Sequence, residues 1–338
     1  MALNSRSLKG LRFYKYATPL SAARRSLAAT VVGNTALFGG GRTDSETYFS
    51  TVDAYDDSLT HTTLTALSGA RSDLAVAAIG SYALFAGGYN GIEEKCYSTV
   101  DVYNGSLTHS TAASLSVARE ALAATTVGSY ALFAGGRNFE GSYLNTVNAY
   151  TASLSRSTPS ALTAVRGNLA AAAIGSYALF AGGMTTNATC SAVVNRYNSS
   201  LSRSTATALS VARESLAGAA NSSYALFAGG YTDDDESAVV DAYNASLTRT
   251  VAESLSIARG DLTTAVIGEY VLFIGGWNSN LDDVNIIDVY DASLTHTTIV
   301  FKTARSDAAA IGIGNLALIG GGSNDEYLNS VEVIRYKE

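Results

Sequence analysis

The chain has 338 residues, an apolar share of 47% that suffices for a large core, and a formal net charge of −7. Only 15% of residues are charged and no basic run occurs, so the clustered cations that nucleic-acid binding requires are missing. The first residues carry Arg6, Lys9, Arg12 and Lys15 without an apolar segment, and no stretch nears the roughly 18 apolar residues of a membrane helix. We therefore expect neither a signal peptide nor membrane insertion, which leaves the cytoplasm or export within a larger assembly.

After an opening segment, residues 1–20, the chain consists of seven repeats that start near residues 21, 68, 116, 163, 210, 256 and 302. An ALFAGG-like phrase marks each repeat, and its last glycine recurs every 46 to 48 residues, at Gly41, Gly88, Gly136, Gly183, Gly230, Gly276 and Gly322. A period of this length and regularity is typical of propeller or solenoid architectures.

Each repeat contains four short predicted strands, as the third repeat illustrates. A small, apolar first strand at 122–127 leads through a Gly-Ser turn into a second strand at 130–134, which ends at Gly135 and Gly136. A third strand ends at Tyr150, and a Ser/Thr-rich fourth strand follows at 154–162. Four such strands form a blade that must stack on others around an axis, with the Ala-rich first strand innermost. The sequence predicts an all-β, seven-bladed β-propeller of four-stranded antiparallel blades, a single domain over residues 1–338.

The strands at the two ends of the sequence are predicted to form one blade together. The sequence stops after a third strand at 331–336 that no fourth strand follows, whereas residues 11–20 align with the fourth strands when Arg24 is laid over Arg71. We predict that residues 1–20 supply the outer strand of the last blade, which closes the ring and removes an open sheet edge.

The repeat resembles the kelch repeat over essentially the whole chain: an Arg turn, an apolar strand, a second strand ending in Gly-Gly, and a third-strand tyrosine. The tyrosine slot holds Tyr55, Tyr103, Tyr150, Tyr197, Tyr243 and Tyr290, with Ile334 in the last repeat. The kelch tryptophan of the fourth strand is absent, and we expect the outer strands to pack instead through the repeated leucines at 59, 107, 154, 201, 247 and 294. The near-identical, Ser/Thr-rich repeats look more like bacterial or phage kelch proteins than animal adaptor proteins.

One face of the predicted propeller carries the blade-to-blade connections and the loops between second and third strands. These loops differ among repeats, at 42–49, 89–97, 137–144, 184–191, 231–237, 277–284 and 323–328, whereas the turns of the other face are nearly uniform. Because variable loops on a rigid scaffold usually carry binding, we expect the ligand on the loop-bearing face.

Every blade junction contains one arginine: Arg24, Arg71, Arg119, Arg166, Arg213, Arg259 and Arg305. Acids follow closely at Asp73, Glu120, Glu214, Asp261 and Asp307. One interpretation is structural, with each arginine tying neighbouring blades together. The other is a ring of guanidinium groups around the channel mouth that recognises anions, because Arg forks suit carboxylates.

The residue directly after each Gly-Gly pair differs among blades: Arg42, Tyr89, Arg137, Met184, Tyr231, Trp277 and Ser323. The kelch resemblance implies that this slot and the junction arginines contact a bound peptide, and aromatic and Arg side chains dominate interface hot spots. We predict a ligand site formed by the seven junction arginines with Arg42, Tyr89, Arg137, Tyr231 and Trp277.

The sequence offers no convincing catalytic or metal-binding set. His61, His109 and His296 occupy one slot of the outer strand in different blades, where we expect them to be exposed and far apart. The recurring slot of Asp53 reads as structural, the acidic run 233–236 as a solvated loop without dedicated calcium spacing, and Cys96 and Cys190 as free thiols. We predict no catalytic residue, no metal site and no cofactor.

Three functions are compatible with this pattern. The first is a non-enzymatic binding module for a protein, peptide or glycan. The second is a carbohydrate-active enzyme that uses axial arginines and loop acids. The third is a structural component of a larger bacterial or phage assembly, which the low lysine content and Ser/Thr-rich surface would suit.

Overall fold

The regular elements of the protein are all β-strands in the computed structural model, which describes residues 10–44, 46–280 and 282–337. Within these ranges the chain forms no helix that could cross a membrane. Two- to seven-residue strands alternate with turns and loops throughout, as the short apolar runs between glycine-containing turns predict.

The strands fall into seven sets of four. The first strands are Ala28–Val32, Ala75–Ile79, Ala123–Val127, Ala170–Ile174, Ala217–Ala220, Thr263–Ile267 and Ala309–Ile313. The second strands are Thr35–Gly39, Tyr82–Ala86, Tyr130–Ala134, Tyr177–Ala181, Tyr224–Ala228, Tyr270–Ile274 and Leu316–Gly320. The third strands are Val52–Asp56, Val100–Asn104, Val147–Thr151, Val194–Asn198, Val240–Asn244, Ile286–Tyr290 and Val331–Tyr336. The outer strands are His61–Thr63, His109–Thr111, Arg156–Ser157, Arg203–Thr205, Arg249–Val251, His296–Val300 and, for the last set, Leu11–Ala17.

Each set forms an antiparallel four-stranded sheet in the order first, second, third, outer, and the seven sheets are the blades of a β-propeller. The first strand of every blade contacts the first strands of both neighbouring blades, including that of blade seven with blade one. This closed circle of inner strands confirms the predicted fold class. Two short hairpins, Tyr89–Asn90 with Lys95–Cys96 and Trp277–Asn278 with Asp282–Asp283, extend the loops of blades two and six.

The opening segment completes the last blade, as predicted. Leu11–Ala17 pairs antiparallel with Val331–Tyr336, and a bulge between Phe13 and Lys15 shifts the register. The Leu20 amide then donates to the carbonyl oxygen of Asn329 at 2.8 Å, and the Leu20 side chain is buried. Residues 1–9, which belong to the predicted closing segment, lie outside the described residues. The propeller is thus closed by joining the two ends of the chain in one sheet.

The core consists of seven hydrophobic clusters, one between each pair of adjacent blades. The third-strand tyrosines reinforce these interfaces, because each donates its hydroxyl to a backbone carbonyl of the preceding blade, as Tyr103 does to Thr65 at 2.6 Å. The recurring leucines lie in the turn before the outer strand, with left-handed φ of 60° to 67°, rather than on the outer strand itself. They still pack against the inter-blade clusters, with Leu59 and Leu247 buried.

The Gly-Gly pairs let the backbones of adjacent blades approach closely. The Gly88 amide donates to the carbonyl oxygen of Arg119, the junction arginine of the next blade, at 2.9 Å. A Cβ on Gly87, whose φ is 70°, would lie 2.5 Å from that same oxygen. Only glycine fits this crowded corner, which explains why the pair recurs in every blade.

Candidate functional site

The blade junctions and the loops between second and third strands lie on one face, which we call the mouth face. Their backbones pair there: the residue after each junction arginine bridges the residue after the Gly-Gly pair of the same blade. The bridged pairs are Arg25–Arg42, Ser72–Tyr89, Glu120–Arg137, Gly167–Met184, Glu214–Tyr231, Gly260–Trp277 and Ser306–Ser323. Each variable loop is therefore anchored beside the propeller axis, and its first side chain is held at the rim of the central opening.

A ring of seven residues, the axial ring, surrounds the opening itself. Its members lie two positions after each junction arginine and all have left-handed φ of 48° to 55°: Ser26, Asp73, Ala121, Asn168, Ser215, Asp261 and Asp307. In six of the seven neighbouring pairs, one member's amide donates to the carbonyl oxygen of the member before it, at 2.9 to 3.3 Å. The ring encloses a cavity of about 260 Å³. Left-handed backbone costs a non-glycine residue roughly 1–2 kcal/mol, so these inter-blade hydrogen bonds are needed to hold it.

Three members of the axial ring are aspartates, and each has a polar neighbour. The Ser72 hydroxyl donates to Asp73 at 2.6 Å. Tyr231 donates its hydroxyl to Asp261 at 2.8 Å, and Arg25 forms an ion pair with Asp307 at 2.9 Å. The cavity is thus acidic, with one arginine and one tyrosine reaching its carboxylates from the rim.

Crowding of these carboxylates changes their proton affinity. Burial and the nearby charge of Asp307 raise the pKa of Asp261 to about 6, against the opposing effect of the Tyr231 hydrogen bond. Burial and the charge of Asp73 likewise raise the pKa of Asp307, although Arg25 opposes this. A cationic group entering the cavity would relieve this repulsion, because an opposite charge favours the ionised form.

Charged and polar side chains also meet at the edge of the axial ring and just outside it. Arg137 donates through Nε to Glu120 at 2.8 Å, and Asn168 donates to Glu214 at 2.7 Å. Burial raises the pKa of Glu120, while the Arg137 charge opposes that shift. The rim of the mouth therefore combines acids with exposed arginine and amide donors.

Two aromatic groups flank the opening. Tyr89 stacks on Phe139 with ring centroids 6.4 Å apart and meets Tyr48 edge-on at 6.0 Å. On blades five and six, Tyr231 and Trp277 lie 6.5 Å apart. Phe139 is 46% exposed and Trp277 is 37% exposed, so each group presents apolar ring surface to a ligand on the mouth face. The binding role of Arg42, Tyr89, Arg137, Tyr231 and Trp277 stays a prediction, and all five lie on this face.

The seven junction arginines do not surround the mouth with free guanidinium groups: all are at most 1% exposed. Arg71 shows their common arrangement, with Nη2 donating to Asp101 at 2.5 Å and to the Phe85 carbonyl at 3.3 Å, within its own blade. Because their donors are directed into the blade, the geometry favours the structural interpretation of this ring over anion recognition. The side chain of each arginine bonds its own blade, whereas its main chain bonds the preceding blade, as the Arg71 amide does by donating to the Phe49 carbonyl oxygen at 3.1 Å. The junction is thus tied to both blades, as the structural interpretation predicts.

The partners of these arginines fill one repeated slot of the third strand: Asp53, Asp101, Asn148, Asn195, Asp241, Asp288 and Glu332. Burial lowers the pKa of several of these arginines, to about 10 for Arg119 and Arg166, whose partners are neutral, and also for Arg213, whose partner is Asp241. The slot also accepts hydrogen bonds from the preceding junction, as Asp101 does from Ser68. Its recurrence is explained by these structural contacts.

The three histidines differ from the expectation that they are simply exposed. His61, His109 and His296 are 8 to 17% exposed, and their Nε2 atoms lie 2.6 to 2.7 Å from Asp53, Asp101 and Asp288 respectively. The sequence could have indicated these contacts, because an acid and a histidine recur together eight positions apart in the same repeats. No group of three or more His, Cys, Asp or Glu side chains in the described ranges is arranged to hold a metal ion.

The acidic run 233–236 is exposed at Asp233, Asp234 and Asp235, as predicted, and two of its carboxylates also bond neighbouring loops. Asp233 accepts a hydrogen bond from the Cys190 amide at 2.6 Å, and Glu236 accepts one from the Ser279 amide at 2.9 Å. The loop of blade five is thereby tied to the loops of blades four and six. Cys96 and Cys190 are both free, as predicted.

Comparison with known proteins supports the fold and leaves the family open. No family model and no curated protein matches the sequence. Among solved structures, one described as the structure of YjhT is similar, with a TM-score of 0.67, 13% sequence identity, and coverage of 83% of this chain and 99% of the other. Identity this low carries the architecture alone, and this chain is thus a seven-bladed β-propeller.

Proposed function

We propose that this protein is a non-enzymatic binding module of the kelch type that recognises a protein, peptide or glycan on its mouth face. The observation that carries the proposal is the acidic axial cavity of about 260 Å³ between two partly exposed aromatic groups. A concave site with a few converging polar groups and perturbed carboxylates is the usual location of a ligand.

The side chains of the mouth suggest the chemistry of the ligand. Carboxylates such as Asp73 and Asp261 accept hydrogen bonds from hydroxyl or ammonium groups, and flat rings such as Trp277 pack against apolar sugar faces or aliphatic side chains. We therefore infer a ligand that presents hydroxyl or cationic groups to the axis, as a glycan or a basic peptide does.

Parallel screening on a glycan array and a peptide library tests the proposal. With the best hit, we expect Trp277→Ala to weaken binding tenfold or more, about 1.4 kcal/mol, because exposed aromatic anchors dominate such interfaces. Tyr14→Ala is the matched control, since Tyr14 is 39% exposed on the outer strand of blade seven and stacks on Arg335 toward the face opposite the mouth. Equal affinities of the two variants and the wild type would contradict the proposal.

One observation favours the second candidate, a carbohydrate-active enzyme. The pKa of Asp261 is raised to about 6 beside Asp307, and a carboxyl group with a raised pKa can act as the general acid in glycoside chemistry. Turnover of a glycan panel that is lost in Asp261→Asn and retained in Asp233→Asn would establish this candidate. Binding without turnover by the wild type would leave the binding module.

A further inference from the structure

One corner of blade seven differs from the corresponding corner of the other six blades. In those blades a tight turn joins the third strand to the outer strand, and an Asp, Asn or Thr at its start usually caps it. Asp56, for example, accepts hydrogen bonds from the amides of Ser58 and Thr60 at 2.9 and 2.8 Å. In blade seven the outer strand comes from the opposite end of the chain, so this turn does not exist, and the capping slot holds Arg335.

The missing turn leaves an open cavity of about 530 Å³, which we call the seventh-blade corner. It is lined by Arg12, Asn315, Arg335, Tyr336 and Lys337. Asn315 belongs to the turn between first and second strands, so the corner lies at the end of the blade opposite the mouth face. It is therefore separate from the site of the proposed function.

The lining is strongly basic in a protein whose net charge is −7. Arg12 and Arg335 are direct cross-strand partners, and like charges placed opposite each other destabilise a sheet. Lys337 adds a third cation. Within the described ranges, no ion pair involves any of these three side chains.

Arg335 is held in a fixed orientation. Its guanidinium carbon lies 3.9 Å from the ring centroid of Tyr14, which is the bulged residue of the outer strand. Stacking occupies the flat face of a guanidinium and leaves its edge donors available for a planar or tetrahedral oxyanion. The bulge thus positions an aromatic platform that presents Arg335 beside Arg12.

We propose that the seventh-blade corner binds an oxyanion, a phosphate or sulfate group that is free or carried by a small ligand. The two guanidinium edges and the Lys337 ammonium donate hydrogen bonds to its oxygens, and its negative charge offsets the repulsion between Arg12 and Arg335. Asn315, whose side-chain amide donates to the Tyr336 carbonyl oxygen at 3.3 Å, adds a polar group at the wall of the cavity.

Calorimetric titration of the full chain with inorganic phosphate and with inorganic sulfate, in chloride buffer of matched ionic strength, tests the proposal. We expect Arg335→Gln and Arg12→Gln each to weaken binding of the preferred anion tenfold or more. Arg196→Gln is the matched control, because Arg196 is also a third-strand arginine stacked on a tyrosine, with its guanidinium carbon 4.9 Å from the Tyr177 ring centroid. We expect this control to stay within twofold of the wild type.

Thermal unfolding separates loss of the site from loss of the fold. In chloride alone, Arg335→Gln should melt at the same temperature as the wild type or higher, because the like-charge pair is relieved, and added phosphate or sulfate should stabilise only the wild type and Arg196→Gln. Preference for phosphate or for sulfate identifies which oxyanion the corner selects. Binding of neither anion by the wild type, or equal binding by all variants, would overturn the proposal.

Discussion

Replacing Arg71 with Met tests whether the junction arginines are structural. The Arg71 side chain is fully buried, and its Nη2 atom lies 2.5 Å from Oδ2 of Asp101, which is equally buried. The substitution leaves the Asp101 carboxylate without its cationic partner apart from a contact with His109. Removing one partner of a buried ion pair costs about 3–5 kcal/mol, so we expect the free energy of unfolding at pH 7 to fall by about that amount.

The pH dependence provides an independent check. Burial alone would raise the pKa of Asp101, but the charge of Arg71 and hydrogen bonds from Ser68, Arg71 and His109 outweigh it and hold the pKa below its ordinary value of 3.8. A carboxyl whose pKa is lower in the folded than in the unfolded state stabilises the fold at any pH above its unfolded pKa. That contribution is lost as the pH falls from the unfolded pKa through the folded pKa. The stability gap between the wild type and Arg71→Met should therefore narrow below pH 3.8.

Urea denaturation followed by circular dichroism measures these differences. The double variant Arg71→Met/Asp101→Asn should recover part of the loss, because no buried charge stays unpaired. Arg119→Met is the control: its partner Asn148 is neutral, so we expect a smaller loss of about 1–3 kcal/mol. A loss in Arg71→Met no larger than in Arg119→Met would refute the reasoning.

Three further outcomes are expected. Tyr103→Phe should cost about 1 kcal/mol in chemical denaturation, because it removes the inter-blade hydrogen bond to the Thr65 carbonyl. Deletion of residues 1–20 should lower the melting temperature of the entire domain in calorimetry, since loss of the buried Leu20 side chain alone is worth about 2–5 kcal/mol; an unchanged melting temperature would contradict the closure. Above pH 6, Asp261→Asn should have a larger free energy of unfolding than the wild type, because a carboxyl whose pKa is raised by folding destabilises the fold most when it is ionised in both states. This advantage of the variant should disappear as the pH falls toward 3.8, because the folded wild type then binds a proton at Asp261. An advantage that is constant across this pH range would contradict the shifted pKa.

The fold could be predicted from sequence because its signals are local and repeated. The Gly-Gly phrase recurs every 46 to 48 residues, which gives the number of blades. The third strand at 331–336 lacks a fourth strand and the strand at 11–17 lacks a third, which predicts that these two strands pair and close the ring. The face that carries the loops follows from the up-and-down strand order alone.

The candidate site was harder to predict because it depends on long-range geometry. The sequence contains the acids that follow the junction arginines, but it does not indicate that they converge. The left-handed backbone of Asp73, Asp261 and Asp307 places them together at the axis. The burial of Arg71 and its relatives depends on an Asp, Asn or Glu about 30 positions later in the same blade. The sequence did not predict the seventh-blade corner, because Arg12 and Arg335 become neighbours only when the ring closes.

Hydroxyl-radical footprinting of the protein with its screened ligand tests the central claim, that the mouth face binds, most directly. The chain contains its own reference, because Tyr130 and Tyr177 begin second strands at the opposite face while Trp277 and Phe139 flank the mouth. We predict that the ligand protects Trp277 or Phe139 from oxidation and leaves Tyr130 and Tyr177 unchanged. Protection confined to the tyrosines of the opposite face would contradict the assignment of the mouth face as the binding surface.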